Sequence, residues 1–526
     1  MDSLAVILPI VLIAIMIGLS YLLSENKKAV SWALIGKGIA LQLVFALIVL
    51  KTEAGNAFFR KLSDIVKALL DYTGKGAQFV FGVLADADHC SLGYIFCFNV
   101  LPTIIFFSSF MAILYHLGIM QKIIYVIALV MQKTLKTSGA ESLSASANIF
   151  VGQTEAPLVV KPYIEKMTRS EIMCVMTGGM ATVAGGVMAS YVGMLNGKID
   201  NIAGHLMAAS VMAAPAGMVF SKILVPETGV PETSGKMEFN SENIDSSVID
   251  ACSRGCSEGM SLAINVAAML IGFTAMIALI NDCWGGICGF IAATDHESWA
   301  TTWMNTLVGP YFGWLKNIST LQDLLGYLLW PVTLLLGICS EDRVAAGGLI
   351  GQKTILNEFV AYSQLADYAN GKVHEVASDP NSPVVLLAPK TKVILSYVLC
   401  GFANFSSIGI QIAGIGGLAP KRRSEIANLA IKALLAATFT SFFTASIASM
   451  LYTEPQAGKE NVKTVSAIEQ PVTPAPAPVT PAPAPAEAPA PAEAPAPVSA
   501  ETPTPAPVEA PAPAPVPAPA EDPASN

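Results

Sequence analysis

The sequence predicts an all-α polytopic membrane protein: about eight transmembrane helices, two re-entrant hairpins forming an inverted repeat, interfacial helices, and a disordered Pro/Ala-rich C-terminal tail. Three observations point there. Only 13% of the 526 residues are charged and the mean hydropathy is +0.56, whereas a soluble chain carries about 25% charged residues. Apolar stretches recur at about 20 residues, the length that crosses a bilayer core as helix. A β-barrel would show short alternating segments instead.

Eight stretches are expected to span: 4–24, 29–50, 92–117, 171–194, 202–225, 259–282, 393–415 and 425–451. The first has Asp2 and no basic flank before it, and no small-residue cleavage site after it. It reads as a retained membrane helix rather than a signal peptide. Residues 55–72 differ in kind. Phe58, Phe59, Leu62, Ile65, Val66, Leu69 and Leu70 recur at helical spacing, with Arg60, Lys61 and Lys67 elsewhere on the helix, the pattern of an amphipathic helix lying in the interface.

Orientation follows from Lys and Arg in short loops. Three clusters carry them: Lys27 and Lys28; Lys133, Lys136, Lys161, Lys166 and Arg169; and Lys421, Arg422 and Arg423. Placing all three in the cytoplasm puts both termini outside, and eight crossings satisfy this. The count works only if 138–165 and 340–369 do not cross. Each is two short half-apolar pieces around a polar tip, expected to dip in and return to its own side, the first from the cytoplasm and the second from outside.

Each hairpin is followed by a span interrupted by small and polar residues, GGMATVAGG (178–186) in one half and GFANFSSIGIQIAGIGG (401–417) in the other. One more span closes each half. Interrupted segments at matching places in two inverted halves are the best sequence pointer to a transporter's central site. The expected organisation is N-terminal scaffold spans and an interfacial helix (1–132), a first transport repeat (133–226), a linker with a scaffold span and an interfacial segment (227–339), a second transport repeat (340–452) and the tail (453–526).

From Val465 the tail alternates Pro and Ala, with seven acidic residues and no Lys or Arg. Such a composition buries no core and favours polyproline II. The acids of the tail account for most of the net charge of −9, so the membrane part is nearly balanced and no basic stripe argues for nucleic acid. The nine cysteines are scattered in apolar runs and complete no zinc-like set; they read as small buried apolar residues. Cys283 and Cys288 leave a disulfide open. The polar segment 370–382 reads as a solvated external loop.

Polar groups at membrane depth are costly and need a reason. The first tip holds Asn148, Gln153, Thr154 and Glu155, with Pro157 just beyond; the second holds Asn357 and Glu358. The broken spans add Thr182 on one side and Asn404, Ser406 and Ser407 on the other. Carboxylates accept from hydroxyls, while carboxamides both donate and accept. That set suits a neutral polyhydroxylated molecule with a hydrogen-bonding ring. An anionic substrate would want Arg or Lys at the tips, and the only basic residue nearby is Lys353. No metalloprotease helix and no nucleophile–base pair can be placed, so an enzyme is not expected.

The segments GQTEAPL (152–158), GQKTILNEFVAY (351–362) and GFANFSSIGI (401–410) resemble signature motifs of the concentrative nucleoside transporter family. The resemblance runs from about residue 1 to 452 and is to the shorter, eight-span bacterial form. It implies that Gln153, Thr154 and Glu155 face the nucleobase, with Val187 nearby and Phe402 against the base. Glu358, Asn404 and Ser407 would hold the ribose hydroxyls. It further implies a sodium site at Asn148, Val151, Thr182 and Val183, the two valines acting through their carbonyls. Thr182 stands where Ser is common in the family. The set is oxygen-lined, suits a hard cation and contains no titratable ligand, which favours sodium over a proton as coupling ion. Beyond that ion no cofactor is expected. The resemblance also implies a homotrimer in the bacterial inner membrane, working as an elevator that imports nucleosides such as uridine or adenosine. A proton-coupled carrier, or an elevator for another neutral polar solute, is the alternative.

Overall fold

The structure, a computed structural model, describes residues 3–86, 95–235, 245–293, 320–369 and 387–452, with side chains from residue 6 and, in the third piece, up to residue 283. The 370–382 loop, the tail and the side chain of Cys288 lie outside the described residues. Among the described residues the regular structure is entirely helical, as an interior without water demands of a spanning chain.

Two apolar helices open the chain, α1 (Ser3–Leu22) and α2 (Trp32–Lys51). The Ser31 hydroxyl caps α2 by accepting from the Leu34 amide, which satisfies one of the free donors at a helix start. α1 packs on α16 (Arg423–Leu451) and α2 on α9 (Ile202–Leu224), the last helices of the two repeats. Gln42 of α2 donates to the Thr444 hydroxyl of α16 at 3.0 Å.

The amphipathic helix α3 covers Glu53–Phe81, longer than the expected 55–72 at both ends. Thr52 caps its start, and Gly82, at φ +60°, ends it. Phe58, Ile65 and Tyr72 lie exposed along it. After a single turn at Phe96–Asn99 comes α4 (Leu101–His116). A further helix, α5 (Ile119–Leu135), follows where the sequence suggested only a basic loop. Met120, Ile124, Ala128 and Met131 are buried, while Ile123, Val126 and Val130 are exposed.

The helices over 139–224 and 343–451 fall into two similar series. In the first, α6 (Gly139–Ala147) leads to the tip. The chain returns through a 3₁₀ segment at Ala156–Val160 and one turn at Lys161–Ile164, with Pro157 and Pro162 near their starts. Proline lacks the N–H a continuing helix needs, which keeps this arm irregular. The broken span is α7 (Arg169–Ala181) and α8 (Gly185–Leu195), and α9 closes the repeat. Between the repeats run α10 (Val248–Ala293) and α11 (Leu321–Leu335). In the second repeat α12 (Arg343–Ile355) and α13 (Glu358–Ala369) form the hairpin, α14 (Pro389–Leu399) and α15 (Phe405–Leu418) the broken span, and α16 the closing helix.

The core lies where α7, α9 and α16 meet, and nearly every residue of α7 is buried. α10 instead lies along α4. Gly255 and Gly259 bring the two backbones together: a Cβ at Gly255 would stand 2.6 Å from Ser109 Cα. Small residues permit such close approach between membrane helices. Away from α4, Ile249, Ile264 and Ile271 of α10 are exposed.

Candidate functional site

The two broken spans meet at their breaks. Gly401 has φ +98°, and a Cβ there would lie 2.5 Å from the Ala181 carbonyl oxygen. Only glycine fits both demands. Next to it the Phe402 amide donates to the Thr182 carbonyl at 3.3 Å. The half-helices that restart beyond the breaks are held at their N-termini. Asn404 Oδ1 accepts from the Ser407 amide at 2.9 Å and from the Ser406 hydroxyl at 2.6 Å. At α8 the Gly185 amide donates to the Phe150 carbonyl of the first tip at 2.8 Å.

Glu358 opens α13, after Asn357 has capped that helix by accepting from the Val360 amide at 3.0 Å. Its carboxylate is 3% exposed and held from both broken spans. Tyr191 of α8 donates to Oε1 at 2.9 Å, and Asn404 Nδ2 donates to Oε2 at 2.8 Å. Tyr191 is itself fixed by stacking on Tyr362 at 4.3 Å and by an edge contact with Phe359 at 4.9 Å. A carboxylate offers about four acceptor positions, so each Glu358 oxygen can accept once more.

The first tip reaches the second broken span through carboxamides. Gln153 Nε2 donates to the Ser407 hydroxyl at 3.2 Å, and Gln411 Nε2 donates to Gln153 Oε1 at 3.1 Å. Gly179 makes room for this: a Cβ there would stand 2.4 Å from Gln411 Nε2. Thr154 and Glu155 are exposed, with Thr154 lying beside Gly414 of α15. Glu155 accepts from the Gly152 amide at 3.3 Å. The two acids therefore differ, Glu358 enclosed by partners from elsewhere and Glu155 open and tied to its own tip. Val187 is buried and Phe402 half-buried.

Asn148 and Thr182 converge on one turn of α7. Asn148 Nδ2 donates to the Ser144 carbonyl at 2.9 Å and lies 3.3 Å from where a Gly178 Cβ would be. The Thr182 hydroxyl donates to the Gly178 carbonyl at 2.9 Å, leaving its lone pairs free to accept. Val151 and Val183 are buried beside them in sequence. Asn148 is fully buried, yet its Oδ1 has no partner among the described residues. An orphaned buried oxygen costs about 1–3 kcal/mol, so it calls for a donor or a cation. Neutral oxygens such as Asn148 Oδ1 and the Thr182 hydroxyl are of the kind that suits a hard cation.

The base of the first hairpin carries a buried ion cluster. Glu141 closes a capping box with Ser138 and pairs with Lys222 of α9. Lys222 Nζ also donates to Ser170 Oγ at 2.9 Å and to Glu227 at 3.2 Å. On the same side Glu25 binds Arg169 at 2.8 Å and Lys432 at 2.7 Å. These pairs lock the hairpin to α7 and α9, and the α1–α2 loop to α7 and α16.

Sequence reasoning missed Tyr191 and Gln411. The lone carboxamide in the apolar run of α15 was a usable signal for Gln411; nothing local marks Tyr191. Lys353, 2% exposed, is engaged with the Val398 carbonyl and Ser441.

Comparison with known proteins places this geometry. Residues 12–84 and 205–449 match the families described as Na+ dependent nucleoside transporter N-terminus and C-terminus, and residues 97–198 match the one described as Nucleoside recognition. An uncharacterized transporter of Haemophilus influenzae is 43% identical over 437 residues, covering 83% of this chain and 95% of its own. Sodium/nucleoside cotransporter 1 of Rattus norvegicus is 38% identical, over 82% of this chain and 61% of its own. Among solved structures, CNTnw in an inward-facing substrate-bound state is similar at TM-score 0.71 and 39% identity, over 85% of this chain and 98% of that one. A variant of CNTnw in an outward-facing state gives TM-score 0.71 and 38% identity, over 85% and 97%. The chain belongs to the sodium-dependent, concentrative nucleoside transporter family, and is a multi-pass membrane transporter rather than an enzyme.

Proposed function

We propose that the chain imports nucleosides into the cell, coupled to sodium, by carrying a central site across the membrane as an elevator. One observation carries the substrate half of this reading: the Glu358 carboxylate is held by Tyr191 and Asn404, one from each broken span, with capacity left on both oxygens. A ribose diol donating to that carboxylate would draw the two repeats together. Gln153, Thr154 and Glu155 would face the base, with Val187 and Phe402 packing near it and Ser407 completing the polar floor. The sodium half is supported by the buried orphan Asn148 Oδ1. Asn148, Thr182 and the Val151 and Val183 carbonyls would hold the ion.

The moving body contains both repeats. α1 and α2 pack on their closing helices and, as N-terminal scaffold spans, would brace them from the fixed body. The α4–α10 pair, tightly joined through its glycines, would stand still. One hydrogen bond, Thr103 Oγ1 to Ser190 Oγ at 2.8 Å, joins α4 to α8 across that boundary. The exposed apolar face of α10 would meet lipid and further copies in a homotrimer. The basic loops support an inner-membrane protein whose two termini would lie outside.

Substitution separates the site from the rest of the membrane part. Glu358→Gln weakens nucleoside uptake far more than Lys37→Gln, whose lysine is exposed on α2. Equal effects on folded protein would mean the site is misplaced.

A further inference from the structure

The two repeats finish their first half-helix in different ways. In each, the N-terminal arm of the hairpin reaches the last turn before the break. In the first repeat the arm brings Asn148 against Gly178 of α7, and Asn148 Oδ1 stays without a partner among the described residues. In the second repeat the arm brings Lys353. Its Nζ donates to the Val398 carbonyl, in the last turn of α14, at 3.1 Å, and to the Ser441 hydroxyl of α16 at 3.1 Å. Ser441 Oγ lies 3.4 Å from the Cys400 carbonyl and 3.2 Å from the Ala437 carbonyl, and its one hydrogen can go to either. Cys400 is the C-cap of α14, as Thr182 is of α7.

A helix that ends inside a membrane leaves carbonyls without partners and a partial negative charge at its end. Water is absent, so the end must be capped from within. Near its break the first repeat offers two neutral oxygens, Asn148 Oδ1 and the Thr182 hydroxyl, which an ion from solution would complete. The second repeat supplies an ammonium, which carries three donors and no acceptor. Two of those donors are placed by Val398 and Ser441, and the buried acid of the same hairpin, Glu358, lies five residues further along.

We propose that Lys353 is a built-in cation of the second repeat, occupying the place where the first repeat takes its coupling ion. It is a positioning residue. It fixes the end of α14 and so the turn from which Asn404 reaches Glu358, and it assembles the ribose half of the site before any ion arrives. Sodium then acts on the first tip alone. This rests on the sodium and nucleoside reading given above.

The test is calorimetric binding of uridine to the full chain in nanodiscs across sodium concentrations. Lys353→Met keeps the unbranched stem of the side chain, one atom shorter, and removes its charge. Its uridine affinity falls at least about tenfold at saturating sodium. Lys353→Ala falls likewise and recovers saturably with added ethylammonium, a response that loss of packing alone would not give. Ser441→Ala keeps the lysine and removes one anchor; affinity falls about threefold. Wild-type affinity in folded Lys353→Met overturns the proposal, as does failure of ethylammonium to restore folded Lys353→Ala. If neither lysine variant folds, unchanged affinity in Ser441→Ala overturns it. A wild-type chain that binds no uridine defeats the nucleoside reading instead, so the two failures are distinct.

Discussion

The Tyr191 hydroxyl donates to Glu358 Oε1 at 2.9 Å, across 167 residues of sequence and from one repeat to the other. Through this bond the first broken span orients the acid of the second hairpin. Tyr191→Phe keeps the ring stack on Tyr362 and removes only the donor. Hydrogen bonds to charged groups contribute about 1.5–3 kcal/mol, so uridine affinity falls about tenfold or more and the thermal midpoint drops by roughly a few degrees. Isothermal titration and a melting curve on the same sample check both halves.

Gly179 tests the carboxamide link between the first tip and α15. A Cβ at this position would stand 2.4 Å from Gln411 Nε2 and 3.0 Å from Gln153 Cβ. Overpacking of this kind costs about 1–3 kcal/mol. Gly179→Ala therefore lowers stability and weakens uptake together. Gly193→Ala, where a Cβ meets nothing within 4 Å, does neither. Parallel melting curves and uptake rates separate the two glycines.

The buried ion cluster makes a stability prediction. Lys222 pairs with Glu141 and Glu227, with side-chain exposures of 7% for the lysine and 1% for Glu141. Removing one member of a buried pair leaves an uncompensated charge and costs about 3–5 kcal/mol. Lys166 makes an ion pair with Glu232 at the surface, where solvent screening leaves such pairs little effect on stability. Lys222→Met is strongly destabilised and Lys166→Met is close to wild type in thermal unfolding.

Glu25 gives a pH signature outside the membrane. Its hydrogen bond from Arg169, helped by Lys432, holds the carboxyl down from 4.5 to about 2. A carboxyl whose folded pKa is depressed stabilises above its unfolded value and loses that contribution as pH falls through the folded one. The contribution of Glu25 is thus complete above about pH 4.5 and fades toward about pH 2. Glu25→Gln is less stable than wild type at pH 7, and the gap closes as the pH is lowered through that window. A gap that widens on acidification contradicts the assignment.

Much of this arrangement is legible in the sequence because membrane helices must break where the site is. The small-residue run 178–186 and the Gly-Phe-Ala-Asn turn at 401–404 mark both breaks without any fold in hand. The hairpin tips are equally visible, as polar islands between half-length apolar pieces. α5 is legible in principle, since Met120, Ile124, Ala128 and Met131 recur at helical spacing and face the protein; the lysines at its ends drew it into the basic loop. α3 runs on past residue 72 through Gly74 and Gly76, which local propensity disfavours. The grip of Tyr191 on Glu358 and of Lys353 on Val398 depends on long-range packing. No local pattern encodes which distant partner a buried hydroxyl or ammonium will meet.

The central claim, sodium-driven nucleoside import, is tested most directly by uptake of labelled uridine and adenosine into liposomes holding the purified chain. A sodium gradient and a proton gradient are imposed separately. The account predicts accumulation under the sodium gradient, abolished when sodium is equal on both sides. Accumulation driven by protons alone, or none under either gradient, would contradict it.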